Sequence, residues 1–131
     1  SQLKKAKNFV KKRNSIALKY NKLLNCLPLK LPFCNDNYYS SYHLYIINLK
    51  NKELSKSHKE IFIQLQKNGL GINLHYTPIH LQPYYRKLGF KKGMFINAEN
   101  YAQSAISIPL HPSLTDKSLK KIVSIIKKVI R

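Results

Sequence analysis

The sequence predicts a small α/β (α+β) domain, in which a mainly antiparallel sheet of about three strands is covered by helices and preceded by a long helix. Two long segments, one near each end of the chain, repeat apolar residues at helical spacing. Between them lie short runs rich in Tyr and Ile, separated by Gly, Pro and Asn, as is typical of strands joined by tight connections. With 131 residues, 44% of them hydrophobic, the chain is long enough for one hydrophobic core.

Three long helices are predicted. Apolar residues along 3–25 form a stripe, and lysines fill the opposite face. A second helix begins near Ser57, which has capping-box spacing with Glu60, and ends near Asn68 before a glycine. The last helix begins at Thr115 and Asp116. Its predicted buried stripe comprises Leu119, Ile122, Val123, Ile126 and Val129 or Ile130.

Three strands and two short helices are predicted between the long helices. The strands are the Tyr- and Ile-rich run 42–49, the run 71–76 and the alternating run 106–108. The short helices are 82–88, closed by a glycine, and 98–105, which Asn97 could cap.

The predicted domain organisation divides the chain after the first helix. That helix has no evident partner in a small sandwich, so residues 1–26 are interpreted as a connecting helix from a preceding large domain. Residues 27–131 are interpreted as the small domain, which starts with an irregular connection over 27–37 and a turn at Asn35-Asp36-Asn37. The chain begins inside a helical pattern without Met, which indicates a piece of a longer protein.

The net charge of +19 suggests a polyanionic partner such as nucleic acid. The cations are 21 Lys and only three Arg, however, and readers of bases and phosphates favour the bidentate fork of Arg. Asn and Ile are also abundant, which is typical of drift towards Lys, Asn and Ile in AT-rich coding. A nucleic-acid-binding module is therefore the alternative function, and a structural interaction domain without a ligand is a third.

The two cysteines, Cys26 and Cys34, have neither a zinc-ligand spacing nor a CxxC spacing. No secretory signal and no apolar run of transmembrane length is present, so the sequence predicts two reduced, partly buried thiols and a cytoplasmic location.

The densest chemical feature is the stretch 71–85, GINLHYTPIHLQPYY. It places His, Tyr, Asn, Gln and Thr side chains around two prolines, and such a stiffened loop suits a sugar or phosphate ligand. For His75 or Tyr76 taken alone, a position in the core at the end of a strand is the competing interpretation. His75 and His80 do not form a metal motif, because no carboxylate or Cys is near them in the sequence. No nucleophile motif and no acid pair for acid/base catalysis is recognisable either.

The runs GINLHYTPIHLQPYYRKLGF and AENYAQSAISIPLHPSLTD resemble the C-terminal region of the DegT/DnrJ/StrS aminotransferases, and SSYHLYIINL extends the likeness. These enzymes have the type I fold of pyridoxal-phosphate enzymes and act on nucleotide-linked keto-sugars. The resemblance covers essentially the whole chain. Within the family it extends to the branch that uses glutamate to aminate C4 of a UDP-linked 4-keto-6-deoxy-N-acetyl-hexosamine, in pseudaminic acid biosynthesis.

The resemblance implies a substrate site on the His-Tyr segment. It places sugar-nucleotide contacts on Asn73, Leu74, His75 and Tyr76, with His80 as a further candidate. It also implies that pyridoxal 5'-phosphate, its Schiff-base lysine and the other cofactor-binding residues belong to a large N-terminal domain that this sequence does not contain. We therefore expect no catalytic residue and no metal in this chain, no activity of the chain alone, and association with a large domain and a homodimer partner.

Overall fold

The computed structural model describes residues 2–35 and 37–131. Ser1 and Asp36, which belong to the predicted connecting helix and to the predicted Asn-Asp-Asn turn, lie outside the described residues. The elements in chain order are α1 (Gln2–Leu24), β1 (Leu29–Lys30), β2 (Tyr45–Leu49), α2 (His58–Lys67), α3 (Pro83–Lys87), α4 (Ile96–Ala102), β3 (Ala105–Ile108) and α5 (Asp116–Ile130). Two 3-10 turns lie at Asn51–Glu53 and Ile79–Leu81.

The described strands form one antiparallel sheet in the order β1-β2-β3. Along β2 the side chains of Tyr45, Ile47 and Leu49 are buried and alternate with half-buried ones, so one face of the sheet lies on the core. The register pairs Tyr45 with Ile108 and Ile47 with Ile106, which brings apolar side chains together on that face. The predicted small antiparallel α+β domain is confirmed.

The membership of the sheet differs from the prediction. The predicted strand 71–76 contributes only one bridge, between Asn73 and Ser107, because its residues turn outward after the buried Ile72. The third strand is instead β1, inside the segment predicted to be irregular. Pro32 lacks an N–H and follows β1 closely, which accounts for a strand too short to show alternation in the sequence.

The position of α4 also differs from the predicted helix over 98–105. Its N-cap is Phe95, without a side-chain cap hydrogen bond, so Asn97 lies inside the helix and is not its cap. Ala105 is buried and starts β3, since its backbone pairs with Asn48.

The C-terminal half of α1 is part of the domain core. Ile16, Ala17, Tyr20 and Leu24 are buried, and the helix packs against α5. The expectation that the first helix lacks a partner is therefore wrong for this half. The N-terminal half is different, since Leu3 at the start of its apolar stripe is 83% exposed. The division of the chain after residue 26 stays a prediction.

The helices α2 and α5 confirm their predicted caps and faces. Ser57 and Glu60 form the reciprocal hydrogen bonds of a capping box at the start of α2. The Thr115 hydroxyl accepts the N–H of Ser118 at the start of α5. The whole predicted stripe of α5 is buried: Leu119, Ile122, Val123, Ile126, Val129 and Ile130.

The cysteines depart from the prediction of two partly buried thiols. Both are free, but only Cys34 is half-buried, and Cys26 is exposed just after the end of α1. Among residues 2–35 and 37–131, none of the helices combines the length and apolar character that a bilayer span requires.

Candidate functional site

The candidate site lies on a long excursion of the chain between the core residues Ile72 and Ala105. We call residues 73–104 the arch. It contains the 3-10 turn Ile79–Leu81, α3 and α4. Within these residues, all of which the structure describes, only His80 and Glu99 are buried. The arch therefore presents most of its aromatic and polar side chains outward.

The structure brings the predicted His-Tyr segment to the surface of the domain. Asn73 anchors it to the sheet by two backbone hydrogen bonds with Ser107, of 3.2 and 2.9 Å. Beyond the anchor, Leu74 is 42% exposed, His75 is half-buried and Tyr76 is 74% exposed. The competing interpretation of Tyr76 as a core residue is therefore wrong. The core interpretation fits His75 better, because its Nδ1 atom is buried and has no hydrogen-bond partner among the described residues.

Two clefts open at this segment. The narrower one has a volume of about 220 Å³ and a mixed lining, in which the polar side chains include His75, Thr77, Lys92, Glu99 and Gln103 and the apolar ones include Leu81 and Ala102. The wider one, of about 560 Å³, is bordered mainly by apolar and aromatic side chains: Ile79, Tyr85, Phe90, Phe95 and Tyr101. Residues 75–78 line both clefts. Polar groups set among apolar and aromatic side chains have the chemistry that a sugar linked to a nucleotide requires.

His80 borders the wider cleft together with His75, and it is only 7% exposed. Its ring is buried, and its Nε2 donates to Oε1 of Glu99 at 2.9 Å. The same oxygen accepts the backbone N–H of Gly93 at 2.8 Å. The hydrogen bond from His80 is the main reason that the pKa of Glu99 lies below its usual value, although burial opposes the shift.

Glu99 was not among the residues predicted for the site. It is separated from His80 by 19 positions, so neither spacing nor periodicity joins them. One signal was available, since the chain has only five acids and Glu99 is the only one between Glu60 and Asp116. A lone acid in an aromatic segment of a strongly basic chain calls for a specific partner.

The lysines of the chain lack the setting that is typical of a Schiff-base amine. None of the 21, all of which lie in the described part of the chain, is buried. Such chemistry needs an amine held in a desolvated pocket, whereas these lysines are exposed, apart from the half-buried Lys56 and Lys127. Among the lysines, only Lys92 borders the narrower cleft, and it is exposed. Among the described residues no group of three His, Cys, Asp or Glu could bind a metal ion.

The fold is that of an aminotransferase domain. The chain superposes on Helicobacter pylori PseC, an aminotransferase involved in the biosynthesis of pseudoaminic acid, with a TM-score of 0.88 and 32% identity. It superposes equally well on Streptococcus pneumoniae Spr1654 in its PMP form, with a TM-score of 0.88 and 27% identity. The match covers 99% of this chain and 35% of PseC, and 98% of this chain and 32% of Spr1654.

The particular family follows from the sequence. The model of the DegT/DnrJ/EryC1/StrS aminotransferase family matches residues 1–127, and the chain belongs to this family. The resemblance of this sequence to the family is thus confirmed. Among relatives, the UDP-4-amino-4,6-dideoxy-N-acetyl-beta-L-altrosamine transaminase of Helicobacter pylori is 33% identical over 131 residues, which are 98% of this chain and 34% of that protein. The chain therefore spans about a third of the length of the relatives it matches.

Proposed function

We propose that the chain is the C-terminal, substrate-covering part of a cytoplasmic, pyridoxal-phosphate-dependent nucleotide-sugar aminotransferase. The reaction of the intact protein is the transfer of an amino group from glutamate to C4 of a UDP-linked 4-keto-6-deoxy-N-acetyl-hexosamine, on the route to pseudaminic acid or a related surface glycan. The observation that carries the proposal is the pair of clefts at the His-Tyr segment. It is supported by the alignment of 98% of this chain with 34% of the length of a sugar-nucleotide transaminase.

The chain's own contribution is to bind and orient the sugar nucleotide. His75 and Tyr76 border both clefts, and Asn73 and Leu74 precede them at the sheet. Tyr76 offers a ring and a hydroxyl that are largely exposed, so it can meet a ligand without moving a core residue. The buried Nδ1 of His75 is an unsatisfied polar atom beside the clefts, which a ligand hydroxyl could satisfy. His80 borders the wider cleft, where its ring is held by Glu99.

The cofactor belongs, in this proposal, to a large domain that is absent from this chain. Pyridoxal phosphate supplies the electron sink of transamination when it is bound, and the solvated lysines here do not fit as its anchor. The apolar surface supports a covering partner, which we take to be the large domain and a second subunit. Exposed apolar side chains lie at the start of α1 and over much of the arch: Leu3, Tyr76, Ile79, Leu88, Met94, Phe95 and Ile96. The chain alone is accordingly expected to be inactive.

Binding to the isolated chain tests this function. UDP-N-acetylglucosamine is titrated into the ¹⁵N-labelled chain, and the amide resonances of residues 73–77 are expected to shift with saturation. His75→Ala and Tyr76→Ala should each weaken this binding, because each removes a side chain that borders both clefts. The matched control is His111→Ala, a histidine that is exposed and lies outside both clefts. Absence of any shift at residues 73–77 at millimolar ligand contradicts the proposal.

The net charge of +19 supports one competing function, the binding of nucleic acid. A short single-stranded DNA titrated at ~150 mM salt separates the two, since binding carried by phosphate contacts alone weakens steeply with salt. Tight DNA binding at that salt, together with no response to the UDP-sugar, favours the competing function.

A further inference from the structure

The arch lacks an apolar core of its own. A surface segment of this length is ordinarily held by several buried apolar side chains. Here the two buried residues are instead a histidine and a glutamate, which are 7% and 6% exposed. Its large apolar side chains are exposed or half-buried, and their packing is among themselves near the surface, as between the rings of Tyr84 and Tyr85 and of Phe90 and Phe95.

The buried pair joins three separate stretches of the arch at one atom. His80 belongs to the 3-10 turn, Gly93 to the loop after α3, and Glu99 to α4. The carboxylate oxygen Oε1 of Glu99 accepts from both of the others, at 2.9 and 2.8 Å. Gly93 has a φ of +93°, a conformation that glycine adopts without steric cost and that aims its N–H at the carboxylate. The ring of Phe95 lies against that of His80, with 4.8 Å between centroids.

This arrangement fixes one end of the His-Tyr segment. The other end is fixed at the sheet, where Asn73 pairs with Ser107. Between these two anchors, the described contacts of His75 and Tyr76 include their mutual edge-to-face packing, with centroids 4.7 Å apart. Their placement therefore depends on where the turn that carries His80 is held.

We propose that Glu99 is a positioning residue, which acts through His80 and Gly93 to hold His75 and Tyr76 in place at the two clefts. Glu99 sets the geometry of the arch, and the consequence for a nucleotide sugar rests on the proposed function. A carboxylate suits this role because it accepts two hydrogen bonds on one oxygen, whereas an apolar side chain at the same place would leave the His80 ring and the Gly93 amide unpaired.

Hydrogen exchange of the intact 131-residue chain tests the proposal. The variants are Glu99→Ala, Glu99→Gln and the matched control Glu53→Ala, whose carboxylate forms an exposed ion pair with Lys50 elsewhere. In Glu99→Ala we expect the amides of Leu81, Gln82 and Gly93 to exchange at least about tenfold faster, while core amides such as Ile47 keep their protection. Glu99→Gln keeps an oxygen that accepts both hydrogen bonds, so it should restore most of the protection.

Three results would overturn the positioning role. The first is arch protection in Glu99→Ala equal to that of the unchanged chain. The second is an equal loss of protection in arch and core, which means that Glu99 supports only global stability. The third is a Glu99→Gln variant whose arch exchanges as fast as that of Glu99→Ala. If Glu99→Ala does not fold, the test uses Glu99→Gln alone. The ¹⁵N chemical shifts of the His80 ring in this variant must then stay near those of the unchanged chain, and a large change would overturn the positioning role.

A binding measurement with the same variants tests the link to the site. Glu99→Ala should weaken binding of UDP-N-acetylglucosamine by about tenfold. Because Glu99 also borders the narrower cleft, the positioning role further requires that Glu99→Gln, which keeps the hydrogen bonds to His80 and Gly93, bind almost as tightly as the unchanged chain. If the unchanged chain does not bind this ligand, the proposed function fails, and the exchange experiment still decides the positioning role. If the chain binds and Glu99→Ala binds equally well despite a loosened arch, the positioning role fails while the proposed function stands.

Discussion

Removal of one oxygen atom from Tyr20 should measurably destabilise the domain. Tyr20 is fully buried on the C-terminal half of α1, and its ring packs on that of Tyr45 with 5.0 Å between centroids. Its hydroxyl donates to the backbone oxygen of Pro109 at 2.8 Å, and this bond ties α1 to the end of β3. Tyr20→Phe leaves the ring contacts in place and deletes only this bond.

The expected cost follows from the surroundings of the two atoms. The loss of a hydrogen bond of this kind lowers the free energy of unfolding by about 1 kcal/mol. The Pro109 carbonyl then has to find water, and because Pro109 is half-buried we expect a total of about 1–2 kcal/mol. The matched control is Tyr45→Phe, whose hydroxyl donates to the side chain of Asn21. The acceptor there is a side-chain amide, which can rotate towards water, whereas the Pro109 carbonyl is fixed in the backbone, so this variant should lose less, about 0.5–1 kcal/mol.

Urea denaturation followed by far-UV circular dichroism measures both changes, since the chain has no tryptophan. Thermal unfolding should show a Tm lower by about 3–8 °C for Tyr20→Phe. A Tyr20→Phe variant as stable as the unchanged chain, or one that loses less than Tyr45→Phe, would refute the view that α1 is integrated into the domain by this contact.

Two further predictions concern pH and helix capping. Burial raises the pKa of the Tyr20 and Tyr45 phenols above the usual 10.0. Their contribution to stability is complete below the unfolded pKa and is lost as pH rises past it, so urea midpoints should fall above about pH 10, and less steeply in Tyr20→Phe. Ser57→Ala removes the N-cap of α2, in which Glu60 is the reciprocal partner, and should cost about 1 kcal/mol in the same denaturation assay; no change in the midpoint would contradict the capping role.

The elements that could be predicted from the sequence are those whose signal is local. The buried face of α5 repeats at helical spacing over four turns, and the capping box at Ser57 is complete within four residues. The prediction of a strand over 71–76 was wrong. Strand pairing depends on a neighbouring strand edge, and within this run only Asn73 pairs with one, at Ser107. The two residues of β1 are a strand only because Leu49 and Asn48 lie beside them.

The candidate site follows the same division. The composition of residues 71–85 predicts a ligand-binding surface, and the structure exposes Tyr76 there in the lining of two clefts. The role of His80 could not be predicted, because it depends on a carboxylate from α4 that tertiary structure brings to its ring. Partially buried His75 and buried His80 are alike in sequence context and differ only in what folds against them.

The segment 75–78 lines both the cleft of about 220 Å³ and the one of about 560 Å³. A molecule that displaces this segment from within one cleft therefore changes the lining of the other as well. Any effect of an occupant of one cleft on binding in the other is equal in both directions, because coupling between two binding sites is reciprocal.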